Sequence, residues 1–256
     1  MFRPKQHTSR FDQGGTMGRL VVVTGGGTGI GRAIARRFAA AGDAVVITGR
    51  RRDVLERTAA DLPGDVTPAC FDATDLEAVE TFAASLDHVD VLVNNAGGNR
   101  DFDADAQQSL RAVADAWLSN FTANVLSAVV MTTALHAKFT DGGAVVTIGS
   151  IAADQGSGSY GAAKAAVASW NVDLSRQLGS RGVTANVVSP GYIADTEFFR
   201  DRLSGARRAD LIAATATGRA GTPGDIAETV AFLASAGARH ITGQVIAVNG
   251  GARTTR

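Results

Sequence analysis

The sequence predicts an α/β fold, a doubly wound parallel sheet of seven strands with helices on both faces, held in a single domain. Three observations carry this reading. Short apolar runs rich in β-branched residues alternate with amphipathic stretches, a glycine cluster joins the first run to the first amphipathic stretch, and no Pro/Ser-rich linker or short repeat divides the 256 residues. Such alternation implies parallel strands, because a helix-length connection returns the chain to the same end of the sheet. A chain of this length buries a sizeable core without needing a second domain.

The elements follow in order. Residues 20–24, Leu-Val-Val-Val-Thr, make a β-branched run of strand length that leads into glycines. Behind them, Arg32-Ala-Ile-Ala-Arg-Arg-Phe-Ala sets Ile34 and Phe38 on one stripe, the face a helix turns toward a sheet. The pattern repeats as a strand over 44–48, a helix over 53–62, a strand over 67–71, a helix over 76–86 and a strand over 89–94. The second half predicts a long helix over 110–139 broken near 120–124, a strand over 144–148, a helix over 160–178 and a strand over 183–188. A helix over 224–235 and a strand over 244–248 complete it. Residues 1–17 are polar, show no period and lack an apolar secretory stretch, so they read as a flexible extension ahead of a domain over 18–256. Met17 stands directly before the first strand and is a second candidate start.

Composition narrows the function. Twenty-five basic and twenty-five acidic residues cancel, which gives no reason to expect nucleic acid or an acidic membrane as partner. The single cysteine, Cys70, cannot form an internal disulfide, so a cytoplasmic location is expected. His7, His88, His136 and His240 lack metal-ligand spacing, and no metal site is expected. No apolar run approaches the roughly 18 residues of a membrane helix.

Three stretches carry chemistry. After a buried strand, glycines let the backbone turn tightly and approach a pyrophosphate whose charge rests on the amides of the next helix; Gly25, Gly29 and Gly31 stand at those positions. Glycines also mark any tight turn. The second strand ends in Thr48-Gly49-Arg50-Arg51-Arg52, where a free ribose 2′-hydroxyl would call for an acid and a 2′-phosphate for a guanidinium. NADP(H) is therefore favoured, with NAD(H) as the alternative; Arg50 lies nearest the strand and Arg51 follows it. A solvated basic loop would read the same way. Finally, Tyr160 and Lys164 are four apart, hence neighbours on one helical face, and a cation beside a phenol favours the phenolate and so general acid/base chemistry. The same pair occurs on ordinary solvated faces.

Taken together, Thr24-Gly25-xxx-Gly29-Ile30-Gly31, Asp72, Asn94-Asn95-Ala96-Gly97, Asn124, Ser150, Tyr160-xxx-Lys164 and Pro190-Gly191 run in one order across residues 20 to 251. In this ordered set the chain resembles the short-chain dehydrogenase/reductase family, the compact branch that includes 3-oxoacyl-acyl-carrier-protein reductases and carbonyl reductases. The resemblance implies a Rossmann fold and hydride transfer between NADP(H) and a ketone or secondary alcohol, with a 3-oxoacyl thioester as one candidate. It implies that Tyr160 gives the proton, that Ser150 polarises the carbonyl, that Lys164 lowers the tyrosine pKa and bonds the nicotinamide ribose, and that Asn124 holds a helix break. For the cofactor it implies Gly27, Thr28 and Ile30 within the glycine turn, Asp72 and Ala73 at the adenine, Asn94, Ala96 and Gly97 at the adenosine ribose, and Pro190, Gly191 and Ile193 at the nicotinamide. It also implies a homotetramer that pairs the last strands and the long helices of the second half.

The chain departs from the family pattern in three places. Ser150 precedes Tyr160 by only ten residues, shorter than usual, which leaves Ser157 and Ser159 as rivals. Thr28 stands where relatives preferring NADP carry a basic residue. Thr196 comes one place late after Pro-Gly, with Asp195 in the expected position. Residues 195–221, with Phe198, Phe199, Leu203, Arg200, Arg202, Arg207 and Arg208, resemble a substrate lid; the aromatics either meet an apolar substrate or pack the lid down. A catalytically silent NADP(H)-binding scaffold is the alternative function. An epimerase of the extended relatives would need a longer C-terminal substrate domain.

Overall fold

Apolar β-branched runs make the core of a twisted parallel sheet. The computed structural model describes residues 18–103, 109–199 and 202–254; the expected extension 1–17, with Met17, and Arg200 of the lid lie outside the described residues. The strands are β1 (Leu20–Thr24), β2 (Ala44–Gly49), β3 (Val66–Cys70), β4 (Val89–Asn94), β5 (Phe139–Ile148), β6 (Thr184–Pro190) and β7 (Val245–Val248). They form one sheet in the order β3-β2-β1-β4-β5-β6-β7, every pair parallel, as the sequence predicts. Val21, Val22 and Val23 of β1 are wholly buried, as a strand covered on both faces must be.

The helices are α1 (Gly29–Ala39), α2 (Arg52–Asp61), α3 (Leu76–Ala84), α4 (Leu110–Phe121), α5 (Ser127–Ala134), α6 (Ala152–Gln155), α7 (Gly158–Gly179), α8 (Gly205–Ala213) and α9 (Pro223–Leu233). On one face of the sheet, Ile34 and Phe38 of α1, Leu55 of α2 and Ile226, Val230 and Leu233 of α9 share a core. On the other, Val79 and Phe82 of α3, Met131 of α5 and Leu174 and Leu178 of α7 build a second. Each fully buried side chain of this size contributes about 1.5–3 kcal/mol, so the two layers fix the sheet between them.

Strand order reverses between β1 and β4, and that is where such sheets open a crevice at their carboxyl ends. The loops after these strands are tied together. The Thr24 hydroxyl accepts from the amides of Asn95 (3.0 Å) and Ala96 (2.9 Å), and the Asn95 side chain donates to the carbonyls of Thr24 and Gly25, each at 3.0 Å.

Two elements differ from the sequence expectation. The long helix ends at Ala134, a 3-10 turn covers His136–Lys138, and β5 already begins at Phe139. Leu135 and Phe139, four apart, imitate a helical stripe because both are buried in the same core layer, one at the end of α5 and the other on the strand. Within residues 195–221 the chain forms a 3-10 turn (Glu197–Phe199) and α8, which periodicity did not reveal.

Candidate active site

The glycine turn is built for close approach. Gly25 and Gly29 have φ of +65° and +52°, a region that disfavours side chains. A Cβ on Gly31 would lie 2.2 Å from the Gly25 carbonyl oxygen. Thr28, in extended conformation, stands before α1, and neither its side chain nor an acid in the first turn covers the helix amides. Those amides border a cavity of about 670 Å³ lined by Thr28, Gly29, Arg32, Arg51, Asp195, Thr196 and Glu197. A glycine cradle with an uncapped helix start and two arginines fits a dinucleotide's pyrophosphate.

The residues expected at the adenosine end meet one another. Arg50 Nη1 lies 3.6 Å from Asp72 Oδ2. Burial works to raise the Asp72 pKa, but hydrogen bonds from the Thr74 amide (3.0 Å) and hydroxyl (2.8 Å), with Arg50 beside them, hold its carboxyl below the usual value. Ala73 is buried beside it. Arg51 reaches across the cavity to Glu197 (2.9 Å), and Arg32, which sequence reasoning passed over, lines the same space.

Ser150, Tyr160 and Lys164 come together at the carboxyl end of β5. The short α6 and Gly156, at φ +67°, take up the shortened loop, and the Ser150 hydroxyl stands close enough to the Tyr160 phenol to favour its ionised form. The rival Ser159 points elsewhere, toward Asp101 and Asn120. Lys164 Nζ donates to the Ile148 carbonyl (2.8 Å) and lies 5.8 Å from the centre of the Tyr160 ring. Both side chains are buried. Here the protein departs from the expectation that the cation draws the phenol pKa down: burial pushes Tyr160 up to about 12, against the effect of the Ser150 hydroxyl, and pushes Lys164 down to about 8. Desolvation of the charged form is the dominant cause in each case.

Asn124 sits in a π-helical turn, Thr122–Leu126, that separates α4 from α5 at the expected break. Its side chain accepts from the Gly98 amide (3.1 Å) and donates to the carbonyls of Gly98 and Asn120, each at 2.9 Å. Gly97 presses on it so closely that a Cβ would lie 2.5 Å from Asn124 Oδ1. Asn94 is buried and donates to Thr132 (2.8 Å), while Ala96 is held by Thr24. Pro190 ends β6, and the Gly191 amide donates to Val248 (3.2 Å). Ile193 is buried, pairs with Gly221 and packs against the core, with Thr196 donating to its carbonyl at 3.4 Å.

An aromatic wall stands over the phenol. The Phe198 ring lies 5.6 Å from Tyr160, Phe199 lies 5.0 Å from Phe198, and Phe102 meets both, at 5.8 and 6.0 Å. Phe102 and Asp101, in the loop after β4, carry no sequence signal because their partners are distant in the chain. Asn120 had a faint one, a buried polar residue at the predicted helix break. Among the described residues, no group of three or more His, Cys, Asp or Glu side chains is placed to hold a metal ion, and no helix is long and apolar enough to cross a membrane.

Comparison with known proteins agrees with this geometry. A family profile described as enoyl-(acyl carrier protein) reductase matches residues 25–253. The 3-oxoacyl-acyl-carrier-protein reductase of Escherichia coli K12 is 36% identical over 246 residues, 91% of this chain and 97% of that protein. Among solved structures, a short-chain dehydrogenase/reductase of the glucose/ribitol dehydrogenase type from Brucella melitensis superimposes with a TM-score of 0.83 at 31% identity, covering 93% of this chain and 97% of that one. A blue fluorescent protein from a metagenomic library, solved in complex with NADPH, matches with a TM-score of 0.76 at 34% identity, over 93% of this chain and 98% of that one.

Proposed function

Because the chain belongs to the short-chain dehydrogenase/reductase family and is an NAD(P)-dependent oxidoreductase acting on CH–OH and C=O groups, we propose that it transfers hydride between NADP(H) and a ketone or secondary alcohol, a 3-oxoacyl thioester being the lead substrate. The observation that carries this reading is the cluster at the end of β5: the buried Tyr160 phenol with the half-buried Ser150 beside it, and the buried Lys164 ammonium 5.8 Å from the centre of its ring.

When bound, the nicotinamide supplies or accepts the hydride. The remaining work falls to this chain. Tyr160, with its pKa near 12, is fully protonated at neutral pH and gives its proton to the carbonyl oxygen as negative charge develops there. Ser150 holds and polarises that oxygen. Lys164, still cationic at neutral pH, favours the phenolate left behind and bonds the nicotinamide ribose. Asn124 keeps the π-turn open beside Gly97 and Gly98. The amides around Gly25, Gly27, Thr28, Gly29, Ile30 and Gly31 receive the pyrophosphate, Asp72 and Ala73 the adenine, Asn94, Ala96 and Gly97 the adenosine ribose, and Pro190, Gly191 and Ile193 the nicotinamide.

NADP(H) is preferred over NAD(H) on the strength of Arg50, which stands beside Asp72, while Arg51 and Arg32 line the cavity at the start of α1. Similar solved structures carry either cofactor, one NADPH at 34% identity and one NAD at 27%, so the choice rests on the arginines of this chain. The 3-oxoacyl assignment is supported by the Escherichia coli relative, and residues 195–221, whose Phe198 meets Tyr160 with Phe199 packed against Phe198, act as the lid over the substrate. A single cysteine supports a reducing cytoplasm. Assembly as a homotetramer is supported by two separate exposed apolar faces: Leu110, Val113 and Trp117 on α4 with Val172 on α7, and Phe232 on α9 with Val245 on the edge strand β7.

The test is oxidation of NADPH and of NADH with a 3-oxoacyl thioester and a panel of ketones. Wild type is expected to turn over with NADPH preferred, Arg50→Ala to lose that preference, and Tyr160→Phe to lose about a hundredfold or more in kcat while still binding NADPH. Tight NADPH binding with no turnover on any ketone would instead mark a silent cofactor-binding scaffold.

A further inference from the structure

The start of α7 carries Tyr160 in its first turn, and its local sequence leaves that turn uncapped. Ser157, the residue before the helix, makes no side-chain cap, and the first turn holds no acid. Orphan amides at a helix start need a partner. Here one arrives from far away in the chain. Asp101, in the loop after β4, accepts from the Tyr160 amide through Oδ2 (3.2 Å), and through Oδ1 from the Ser159 hydroxyl and from Asn120 Nδ2 (2.8 Å). Asn120 Nδ2 also donates to the Ser159 hydroxyl at 2.8 Å. Gly158 makes room for the carboxylate, since a Cβ there would lie 2.9 Å from Asp101 Oδ2.

The same carboxylate ties α7 to the π-turn. Asn120 is wholly buried and Ser159 nearly so, which shields these bonds from water. The Asn120 carbonyl accepts from Asn124, and its side-chain oxygen accepts from the Arg100 amide at 3.0 Å. Asp101 is thus the point where the loop after β4, the turn holding Asn124 and the helix holding Tyr160 meet. A negative charge at a helix start is also favourable against the helix dipole.

We propose that Asp101 is a positioning residue for the reaction: acting through the Tyr160 amide and Ser159, it fixes the first turn of α7 so that the phenol stands in register with Ser150. The role rests on the reductase reading above, in which Tyr160 gives the proton. Asp101 need not touch substrate or cofactor. Its loss lets the first turn of α7 fray, and displacement of a reacting group by about 1 Å is enough to cost on the order of a hundredfold in rate.

The test compares wild type, Asp101→Asn and Asp101→Ala in the full-length enzyme. Asparagine keeps one acceptor for Ser159 and Asn120 but turns an NH2 group toward the Tyr160 amide, so its effect falls between. The expected result is a graded fall in kcat, reaching about ten- to a hundredfold in Asp101→Ala, with KM for the ketone and Kd for NADPH held within about twofold. Alongside, amide hydrogen exchange read by mass spectrometry speeds up over residues 157–164 and is unchanged in α1 and α9. An unchanged kcat, an equal loss of NADPH binding, or unaltered exchange at 157–164 overturns the proposal. If Asp101→Ala does not fold, Ser159→Ala takes its place and must show the same kcat-selective loss; an undiminished kcat there overturns it equally. Should wild type reduce no ketone at all, the reductase reading fails on that assay, whereas the exchange measurement still reports on the anchoring of α7 by Asp101.

Discussion

Lys164 and Tyr160 are both buried, and among the described residues no carboxylate shifts either of them, so each is pushed toward its neutral form. This has a measurable consequence for activity. Ketone reduction should hold steady at neutral pH and decline as pH rises through about 8, where Lys164 gives up its charge, well before the phenol with its pKa near 12 is depleted. A pH profile of kcat checks this, and in Lys164→Arg the decline should move to higher pH. Stability carries the same signature with a definite sign. The folded pKa of Lys164, about 8, lies below its reference value of 10.5, so between these values the unfolded chain holds more protons and stability rises with pH. The slope is at most about 1.4 kcal/mol per pH unit. Tyr160 acts oppositely above pH 10, where the folded state keeps the proton longer and stability falls toward about 12. Urea unfolding at a series of pH values should show the rise above 8, and Lys164→Met should abolish it. The Tyr-Lys spacing was legible in the chain; the direction of both pKa shifts was not, because desolvation depends on what packs around the pair.

At the scale of elements, the β1–α1 turn is the part most tightly specified. A Gly31→Ala Cβ would meet the Gly25 carbonyl oxygen and the Asn95 side chain, and the carbonyl belongs to backbone that cannot swing aside. Overpacking of this kind costs about 1–3 kcal/mol, and the turn it distorts is the one proposed to receive the pyrophosphate. Gly31→Ala is therefore expected to weaken NADPH binding at least about tenfold and lower the unfolding midpoint, by fluorescence titration and urea denaturation respectively. This turn could be read from the chain because strand, glycines and amphipathic helix are contiguous. The end of α5 could not, since Leu135 and Phe139 satisfy a helical period and a core contact alike. Nor was α8 read from the chain: it is a short helix with no buried residue to mark a core face.

At the scale of the whole molecule, exposed apolar residues of the described chain gather on α4 and at the α9–β7 edge. Leu110 is 91% exposed and Trp117 46%, on one side of α4, while Phe232 and Val245 project from the far end of the sheet. The homotetramer proposed above, with two kinds of contact, would cover both. Trp117→Glu should break the α4 contact and leave dimers, and light scattering on the purified protein reads the change directly; an unaltered tetramer would remove α4 from the interface.

By itself, the sequence determined the order of strands and helices, the glycine cradle at the end of β1 and the Tyr160–Lys164 pair. Each of these is written in neighbouring residues, through period, turn chemistry and spacing. Only the tertiary structure decided that Ser150 rather than Ser159 stands beside the phenol, that Arg51 pairs with Glu197, that Phe102 joins Phe198 and Phe199 near Tyr160, and that Asp101 closes the helix start 59 residues away. These contacts follow from how the carboxyl ends of β4 and β5 converge. Convergence and burial are properties of the packed sheet, and no local stretch of chain encodes them.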